Sequence, residues 1–140
     1  MNQISKKPSR PLPRPNAYMD TQSFWDGAAK KKLMVQFCRD TGRPQFFPRP
    51  VSLATGRRNT EWREVSGRGS VYTFTNTFNG WPGHEERVPY LCALVELEEG
   101  VRILANLYNV KPEDVRIGMP VRVFWEELAD GTNYPAFEPA

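Results

Sequence analysis

The feature that most constrains the fold is a series of β-type segments that fills the second half of the chain. These segments are rich in β-branched and aromatic residues and are separated by short turns. Glu98-Glu99-Gly100 is typical of a hairpin turn, and Gly67 and Gly69 permit a bulge or a sharp bend. The predicted strands are 62–65, 70–78, 89–97, 101–110, 121–128 and 133–137. Five strands of this kind favour a small closed barrel of the OB-fold type, with a β-sandwich as the competing architecture.

A helix is predicted ahead of the strands, over residues 21–32. Asp20 or Thr21 can cap its first turn, and three lysines, Lys30 to Lys32, suit the negative end of the helix dipole. Phe24 and Trp25 lie on its apolar face. This aromatic pair either packs against the rest of the chain or docks on another subunit.

Between the helix and the strands, two turns share one pattern. They are Cys38-Arg39-Asp40-Thr41-Gly42 and Ser52-Leu53-Ala54-Thr55-Gly56. The strand–turn–strand–turn layout is that of a zinc ribbon, whose four ligand positions here are Cys38, Thr41, Ser52 and Thr55. Only the first offers a thiolate, and a structural zinc site needs four soft or imidazole ligands. We therefore expect a degenerate, metal-free ribbon held by hydrogen bonds and by packing of Phe37, Phe46, Phe47 and Leu53.

Charge is distributed unevenly along the 140 residues. Residues 1–50 carry ten basic and three acidic groups, whereas residues 51–140 carry nine basic and thirteen acidic groups. The basic half can face an anion or an acidic partner, or it is simply solvated. Four prolines in residues 1–19 predict an extended Pro/Arg-rich tail. Without an apolar segment long enough for a membrane span or a signal peptide, we expect a cytoplasmic protein.

The predicted organisation is therefore mainly β, in three parts. Residues 1–19 form the tail, residues 20–60 form the helix and the degenerate zinc ribbon, and residues 61–140 form the OB-fold barrel. The alternative function that an OB-fold suggests is binding of single-stranded nucleic acid on aromatic residues. The net negative charge of the barrel half opposes it. The aromatic candidates for that role are Trp62, Tyr72, Phe74, Phe78 and Tyr108.

Several segments resemble a zinc-ribbon/OB-fold family of acyl-CoA-associated proteins, formerly a domain of unknown function. The resemblance covers residue 20 to the end of the chain. It departs from the family by the loss of three zinc cysteines. The segments that carry it are Phe24-Trp25, Phe46-Phe47-Pro48-Arg49-Pro50, Gly67-Arg68-Gly69-Ser70-Val71-Tyr72, Ile117-Gly118-Met119-Pro120 and Tyr134-Pro135-Ala136-Phe137.

The resemblance implies an accessory subunit of a thiolase-like enzyme that acts on coenzyme A thioesters. The sequence of residues 49–56 resembles that of the steroid side-chain aldolase type, in which the partner performs a retro-aldol cleavage. An acyltransferase or thiolase complex is the alternative. The acyl-CoA is then the substrate of the complex, and no cofactor is expected on this chain.

The candidate site residues are accordingly those of a binding protein. No catalytic residue is assigned, because His84 is the sole imidazole and Cys92 lies in an apolar strand. The acid pairs Glu98-Glu99 and Glu126-Glu127 are interpreted as solvated turns. Arginines in or beside the ribbon can pair with coenzyme A phosphates or with acids on the partner, and the candidates are Arg39, Arg43, Arg57 and Arg58. The expected partner-binding residues are Phe24, Trp25, Phe47, Arg49, Trp81 and His84.

Overall fold

The computed structural model describes residues 19–140, which form one helix, eight strands and two single turns of 3₁₀ helix. The predicted tail therefore lies, except for its last residue, outside the described residues. The elements are α1 (Gln22–Ala29), β1 (Met34–Cys38), β2 (Pro44–Gln45), β3 (Thr60–Glu64), β4 (Arg68–Thr77), β5 (Tyr90–Leu97), β6 (Arg102–Leu107), β7 (Pro120–Glu127) and β8 (Asn133–Pro139).

Five strands close into a barrel in the order β4-β5-β6-β8-β7, with β7 returning to β4. Neighbouring strands are antiparallel except β6 and β8, which pair in parallel where Leu107 meets Phe137. The register of β4 on β5 shifts between Val71 and Thr73, a few residues after the glycines at which a bulge was predicted, while Gly69 itself pairs regularly with Leu97. The mainly β fold and the OB-type barrel are confirmed.

The barrel interior follows from strict alternation along β5, where every second residue is buried. Leu91, Val95, Leu107 and Phe137 are fully enclosed and form the centre of the core. Gly69 is needed where β4 approaches β5, because a Cβ at that position would collide with the carbonyl oxygen of Glu96.

The segment 34–64, which we call the knuckle lobe, forms a separate three-stranded sheet in the order β2-β1-β3. β3 pairs with β1 along its whole length, from Met34 opposite Glu64 to Cys38 opposite Thr60. The strand expected to begin at Trp62 and to accompany the barrel therefore belongs to the lobe sheet. Hydrogen bonding to β1 satisfies its backbone, and the chain crosses to the barrel only after Val65, whose N–H donates to Leu33.

The helix is shorter than the predicted 21–32. Thr21 holds the N-cap position without a side-chain capping bond, and the chain reverses at Lys31, whose φ is 57°. Gly27 allows this reversal, because a Cβ there would strike the Met34 side chain. A barrel side chain caps the helix C-terminus, because Asn133 Nδ2 donates to the Ala28 carbonyl at 3.1 Å. The three lysines consequently lie beyond the helix.

The connection between lobe and barrel is fixed by the β5–β6 hairpin. Glu99 Oε1 accepts a hydrogen bond from the Ser66 N–H at 2.7 Å, and Glu98 accepts bonds from the Ser66 hydroxyl and from Arg68 Nε. Glu98, with a side chain 53% exposed in the turn, fits its interpretation as a solvated turn residue, whereas Glu99 is half-buried and bound to the Ser66 backbone. These carboxylates find donors on a segment 30 residues or more away, which local sequence does not reveal. Within residues 19–140, no helix is long and apolar enough to cross a membrane.

Candidate functional site

The two turns of the knuckle lobe are built by the same set of hydrogen bonds. In the first, Cys38 N–H donates to the Arg43 carbonyl and Gly42 N–H donates to the Cys38 carbonyl, both at 2.8 Å. In the second, Ser52 and Gly56 make the corresponding bonds at 2.8 and 2.7 Å, and the fourteen-residue offset is constant. Both glycines have φ near +70°, which a side chain would disfavour. The two turns that share a sequence pattern therefore also share one backbone geometry.

The four ribbon positions lie close together: Ser52 and Thr41 hydrogen-bond to the Cys38 thiol, and Cys38 and Thr55 contact Asn59, a residue that the sequence pattern did not indicate. We call Cys38, Thr41, Ser52, Thr55 and Asn59 the knuckle cluster. Thr55 Oγ1 donates to Asn59 Oδ1 at 3.1 Å, and the Cys38 sulfur lies 4.0 Å from the same oxygen. Asn59 Nδ2 donates to the Asp40 carboxylate, and the Asn59 carbonyl accepts from Arg39 N–H at 2.8 Å. One amide residue thus touches both turns.

Hydroxyl groups surround the single thiol of this cluster. Hydrogen bonds from Ser52 and then Thr41 lower the pKa of the Cys38 thiol to about 7, and burial opposes them. The same hydroxyl oxygens accept backbone N–H groups, Ser52 Oγ from Ala54 at 3.1 Å and Thr41 Oγ1 from Arg43 at 3.3 Å. Each of these hydroxyls therefore interacts both with the backbone of its own turn and with the thiol.

The knuckle cluster does not fit a structural zinc ion. Three of its four ligand positions are neutral hydroxyls that already accept backbone N–H groups, so one thiolate would stand alone. Among residues 19–140, no group of three or more His, Cys, Asp or Glu side chains is placed to hold a metal. The donor chemistry agrees with the expectation of a metal-free ribbon, which remains a prediction.

We call the turns at residues 38–42 and 52–56 the first and second knuckles. A pair of buried glutamines holds the loop that follows the first knuckle. Gln45 Nε2 donates to Gln36 Oε1 at 2.9 Å, and that oxygen also accepts the Arg49 N–H at 2.8 Å. Gln36 Nε2 returns a bond to the Arg49 carbonyl at 3.0 Å, and Gln45 binds the Leu53 N–H and the Val51 carbonyl. The segment carrying Phe47 and Arg49 is thereby fixed in one conformation.

An aromatic groove of about 420 Å³ runs between α1, this loop and β6. Phe24 is buried, with its ring centroid 5.0 Å from Trp25 and 6.0 Å from Phe46. Trp25 is half-buried against Tyr134, whereas Phe47 is 65% exposed. Leu104 of β6, at 64% exposure, completes an apolar rim that the sequence analysis did not identify. Phe24 therefore packs inside the chain, and Trp25, Phe47 and Leu104 face outward.

The four arginine candidates are all exposed on the knuckle lobe. Arg43 lines a second groove, of about 480 Å³, between the first knuckle and the β5–β6 hairpin. Arg39 lies 4.0 Å from Glu61, and Arg57 and Arg58 follow the second knuckle. The structure brings Arg43 toward Arg102 in this groove but does not gather all four around one cavity.

The loop between β4 and β5 presents Trp81, 80% exposed, at one side of the molecule. His84 is half-buried and lines a cavity of about 190 Å³ together with Arg87, Tyr90, Cys92 and Asn106. Cys92 is only partly buried there, not fully enclosed as its apolar strand suggested, because its β5 position alternates outward.

Beneath this loop lies a buried polar network. The Tyr108 hydroxyl donates to Glu126 Oε2 at 3.0 Å, and Arg87 Nη2 donates to the same hydroxyl at 2.9 Å and approaches Glu126 Oε1 at 3.4 Å. Glu126 is 4% exposed, so its interpretation as a solvated turn residue is wrong, since Arg87 compensates its charge. Tyr108 is likewise enclosed and offers no stacking surface to a base.

Comparison with known proteins extends these observations. Residues 62–126 match the family described as ChsH2, C-terminal OB-fold domain. The chain is 39% identical over 127 residues to the 3-oxo-4,17-pregnadiene-20-carboxyl-CoA hydratase alpha subunit of Mycobacterium tuberculosis, covering 90% of this chain and 40% of that one. It is 32% identical over 139 residues to a probable enoyl-CoA hydratase alpha subunit of Thermomonospora curvata, covering 99% of this chain and 43% of that one. It therefore spans about two-fifths of the length of these two relatives.

Two further matches each cover at least four-fifths of both chains. A solved structure described as an Ltp2-ChsH2(DUF35) aldolase superposes with a TM-score of 0.81 at 31% identity, covering 90% of this chain and 98% of the other. The DUF35 domain-containing scaffold protein of Pyrococcus furiosus is 34% identical over 112 residues, covering 80% of this chain and 82% of that one. The chain belongs to the DUF35 family of OB-fold proteins.

Proposed function

We propose that this chain is a non-catalytic accessory subunit of a thiolase-like enzyme that acts on acyl-CoA thioesters. The observation that carries the proposal is the superposition with the DUF35 chain of the Ltp2-ChsH2 aldolase, which extends over 98% of that chain at 31% identity. The relative from Mycobacterium tuberculosis is named for a steroid side-chain CoA ester, which supports the same substrate class.

The reaction of the complex would be a retro-aldol cleavage of a β-hydroxyacyl-CoA. A base removes the proton of the β-hydroxyl, the Cα–Cβ bond breaks with formation of a carbonyl compound, and the resulting thioester enolate takes up a proton at Cα. This chemistry needs a positioned base and hydrogen-bond donors at the enolate oxygen. Among the described residues, His84 is the one imidazole, and it lies beside Arg87 in a small cavity. The partner would supply the base.

The apolar rim of the aromatic groove is the surface that suits the partner best. Phe47 and Leu104 are about two-thirds exposed, and Trp25 adjoins them. Exposed aromatic and aliphatic side chains of this kind become the centre of an interface when a second protein excludes water from them. Because the glutamine pair fixes the backbone of Arg49, the loop would lose little conformational entropy on binding.

The remaining contact candidates lie elsewhere on the surface. Trp81 and His84 occupy the β4–β5 loop, and Arg39, Arg43, Arg57 and Arg58 occupy the knuckle lobe. Exposed arginines would bind coenzyme A phosphates or partner carboxylates through paired N–H groups. Arg43 has the best position for an extended ligand, because it lines the groove of about 480 Å³.

Co-expression with a thiolase-like protein from the same genome tests the proposal. We expect the two chains to co-elute, the complex to cleave a steroid side-chain β-hydroxyacyl-CoA, and this chain alone to show no turnover. Thiolysis or acyl transfer by the complex without cleavage would support the acyltransferase alternative. Turnover by the isolated chain, or salt-sensitive retention on single-stranded DNA without any complex, would overturn the proposal.

A matched pair of variants locates the interface. Phe47→Ala should weaken the complex by about tenfold or more, because an anchor residue at the centre of an interface carries more than 1 kcal/mol. Ile117→Ala, which removes a side chain of similar exposure (72%) from the loop before β7, is the control and should leave the dissociation constant unchanged. Equal effects of the two substitutions would remove the aromatic groove from the interface.

A further inference from the structure

We infer that Asn59 takes over the task of the missing metal: its amide cross-links the two knuckles, and the knuckle lobe is folded by this side chain where a zinc ribbon is folded by its ion. The inference concerns how the lobe is held together and does not depend on the identity of the partner. It rests on the geometry of the knuckle cluster.

A metal in a ribbon joins ligands from two turns at one point, and Asn59 does the same with hydrogen bonds. On the first knuckle its side chain contacts the Cys38 sulfur at 4.0 Å and the Asp40 carboxylate, and its backbone carbonyl separately accepts the Arg39 N–H at 2.8 Å. On the second knuckle its Oδ1 accepts the Thr55 hydroxyl at 3.1 Å. A carboxamide suits this place because it carries a donor and an acceptor on one rigid plane.

The residues at the other ribbon positions are compatible with this role of Asn59. Each position three residues after Cys38 or Ser52 is a threonine whose Oγ1 accepts an arginine N–H at 3.3 Å, so each knuckle keeps its own turn closed. Each such hydroxyl then has one proton left. The Thr55 hydroxyl donates a hydrogen bond to Asn59 Oδ1, and Thr41 hydrogen-bonds to the Cys38 thiol. The hydroxyls thus serve as hydrogen-bond partners and not as ligands.

Two other side-chain bonds join the knuckles, from Ser52 to the Cys38 thiol and from the Leu53 N–H to Gln45 Oε1, and both lie near the base of the turns, where Cys38, Ser52 and Gln45 are buried. Thr41, Thr55 and both turn glycines are exposed, so burial of apolar surface does not fix the tips of the turns. In a segment of this size a metal or an equivalent staple is ordinarily required. Loss of the Asn59 amide should therefore release both turns together while the barrel stays folded.

Amide hydrogen exchange on the full chain tests the inference. In Asn59→Ala, exchange at the Gly42 and Gly56 amides should accelerate by about tenfold or more, while the Val95 amide in β5 is unchanged. Asn79→Ala, the same substitution at an exposed loop position, is the matched control. Equal exchange in the two variants would overturn the inference.

The two threonines supply a finer comparison. Thr55→Val should accelerate exchange in both knuckles, because it breaks the bond to Asn59, whereas Thr41→Val should affect the first knuckle alone. An effect of Thr55→Val confined to Gly56 would contradict the cross-link.

Measurements of zinc binding provide a complementary test. The wild-type chain should carry less than about 0.1 equivalent of zinc, and a chelator should leave its melting temperature unchanged. The triple variant Thr41→Cys/Ser52→Cys/Thr55→Cys should bind one zinc, and Asn59→Ala in that zinc-loaded background should then have no effect on Gly42 and Gly56 exchange. A zinc-bearing wild type that loosens on chelation, or continued dependence on Asn59 in the zinc-loaded variant, would overturn the inference.

Discussion

The knuckle lobe and the barrel are stabilised in different ways. The barrel surrounds fully buried Leu91, Val95, Leu107 and Phe137, and its hydrogen bonds are mostly those of strand pairing. The lobe joins the apolar core through Val35 and Trp62 and adds polar side-chain cross-links, with Gln36 and Gln45 at its base and Asn59 at its tips. The difference indicates that polar side-chain substitutions should act mainly on the lobe and cavity-forming substitutions mainly on the barrel.

The largest expected effect comes from breaking the barrel. Phe137→Ala should lower the free energy of unfolding by about 3–5 kcal/mol, because the ring is completely buried and leaves a cavity. Phe78→Ala also removes a phenylalanine ring, but from a position that is 69% exposed, and should change the free energy of unfolding by less than about 0.5 kcal/mol. Denaturant unfolding monitored by tryptophan fluorescence measures both, and similar losses in the two variants would contradict an apolar origin of barrel stability.

How far the sequence predicted each region reflects the same contrast. The barrel strands could be located because alternation and glycine-bounded turns are local signals, as in the regularly alternating β5. The predicted helix ran three residues past the observed C-terminus at Ala29, because the Met34 side chain against Gly27 is a tertiary contact. Asn59, Gln36 and Gln45 were missed because an amide has no ligand signature, and its partners lie 4 to 21 residues away. Two glutamines in short apolar strands are the signal that a closer examination could use.

The buried Arg87–Glu126 pair of the barrel gives the second prediction. Arg87→Ala should cost about 3 kcal/mol, because it leaves the Glu126 carboxylate buried and without its charge partner. Arg87→Met/Glu126→Leu should cost less than the single variant, since no buried charge is then uncompensated. Arg122→Ala breaks a solvent-exposed bridge to Glu138 and should cost less than about 1 kcal/mol. Chemical denaturation measures the free energy of unfolding of the three variants. A double variant that is less stable than Arg87→Ala would show that the pair is net stabilising.

A smaller loss is expected from the base of the knuckle lobe. Gln36→Ala should cost about 1–3 kcal/mol, because the Gln45 amide and the Arg49 N–H lose a buried acceptor. The loss should appear as faster hydrogen exchange at Arg49, with β5 protected as in the wild type. Gln22→Ala, on the exposed face of α1, is the matched substitution and should stay within about 0.5 kcal/mol. Destabilisation of β5 to the same extent would mean that lobe and barrel unfold as one unit.

The smallest effect should be a pH dependence confined to the lobe. The hydroxyls of Ser52 and Thr41 lower the pKa of Cys38 from 9.0 to about 7, so the unfolded chain binds more protons than the folded one between these values. Stability should therefore rise as the pH increases from 7 to 9, and this contribution should be lost as the pH falls through 7. Melting temperatures of the wild type, Cys38→Ala and Cys92→Ala across this range measure it. The slope should vanish in Cys38→Ala and persist in Cys92→Ala. A slope that survives Cys38→Ala would assign the dependence to other groups and leave the lobe held by neutral hydrogen bonds alone.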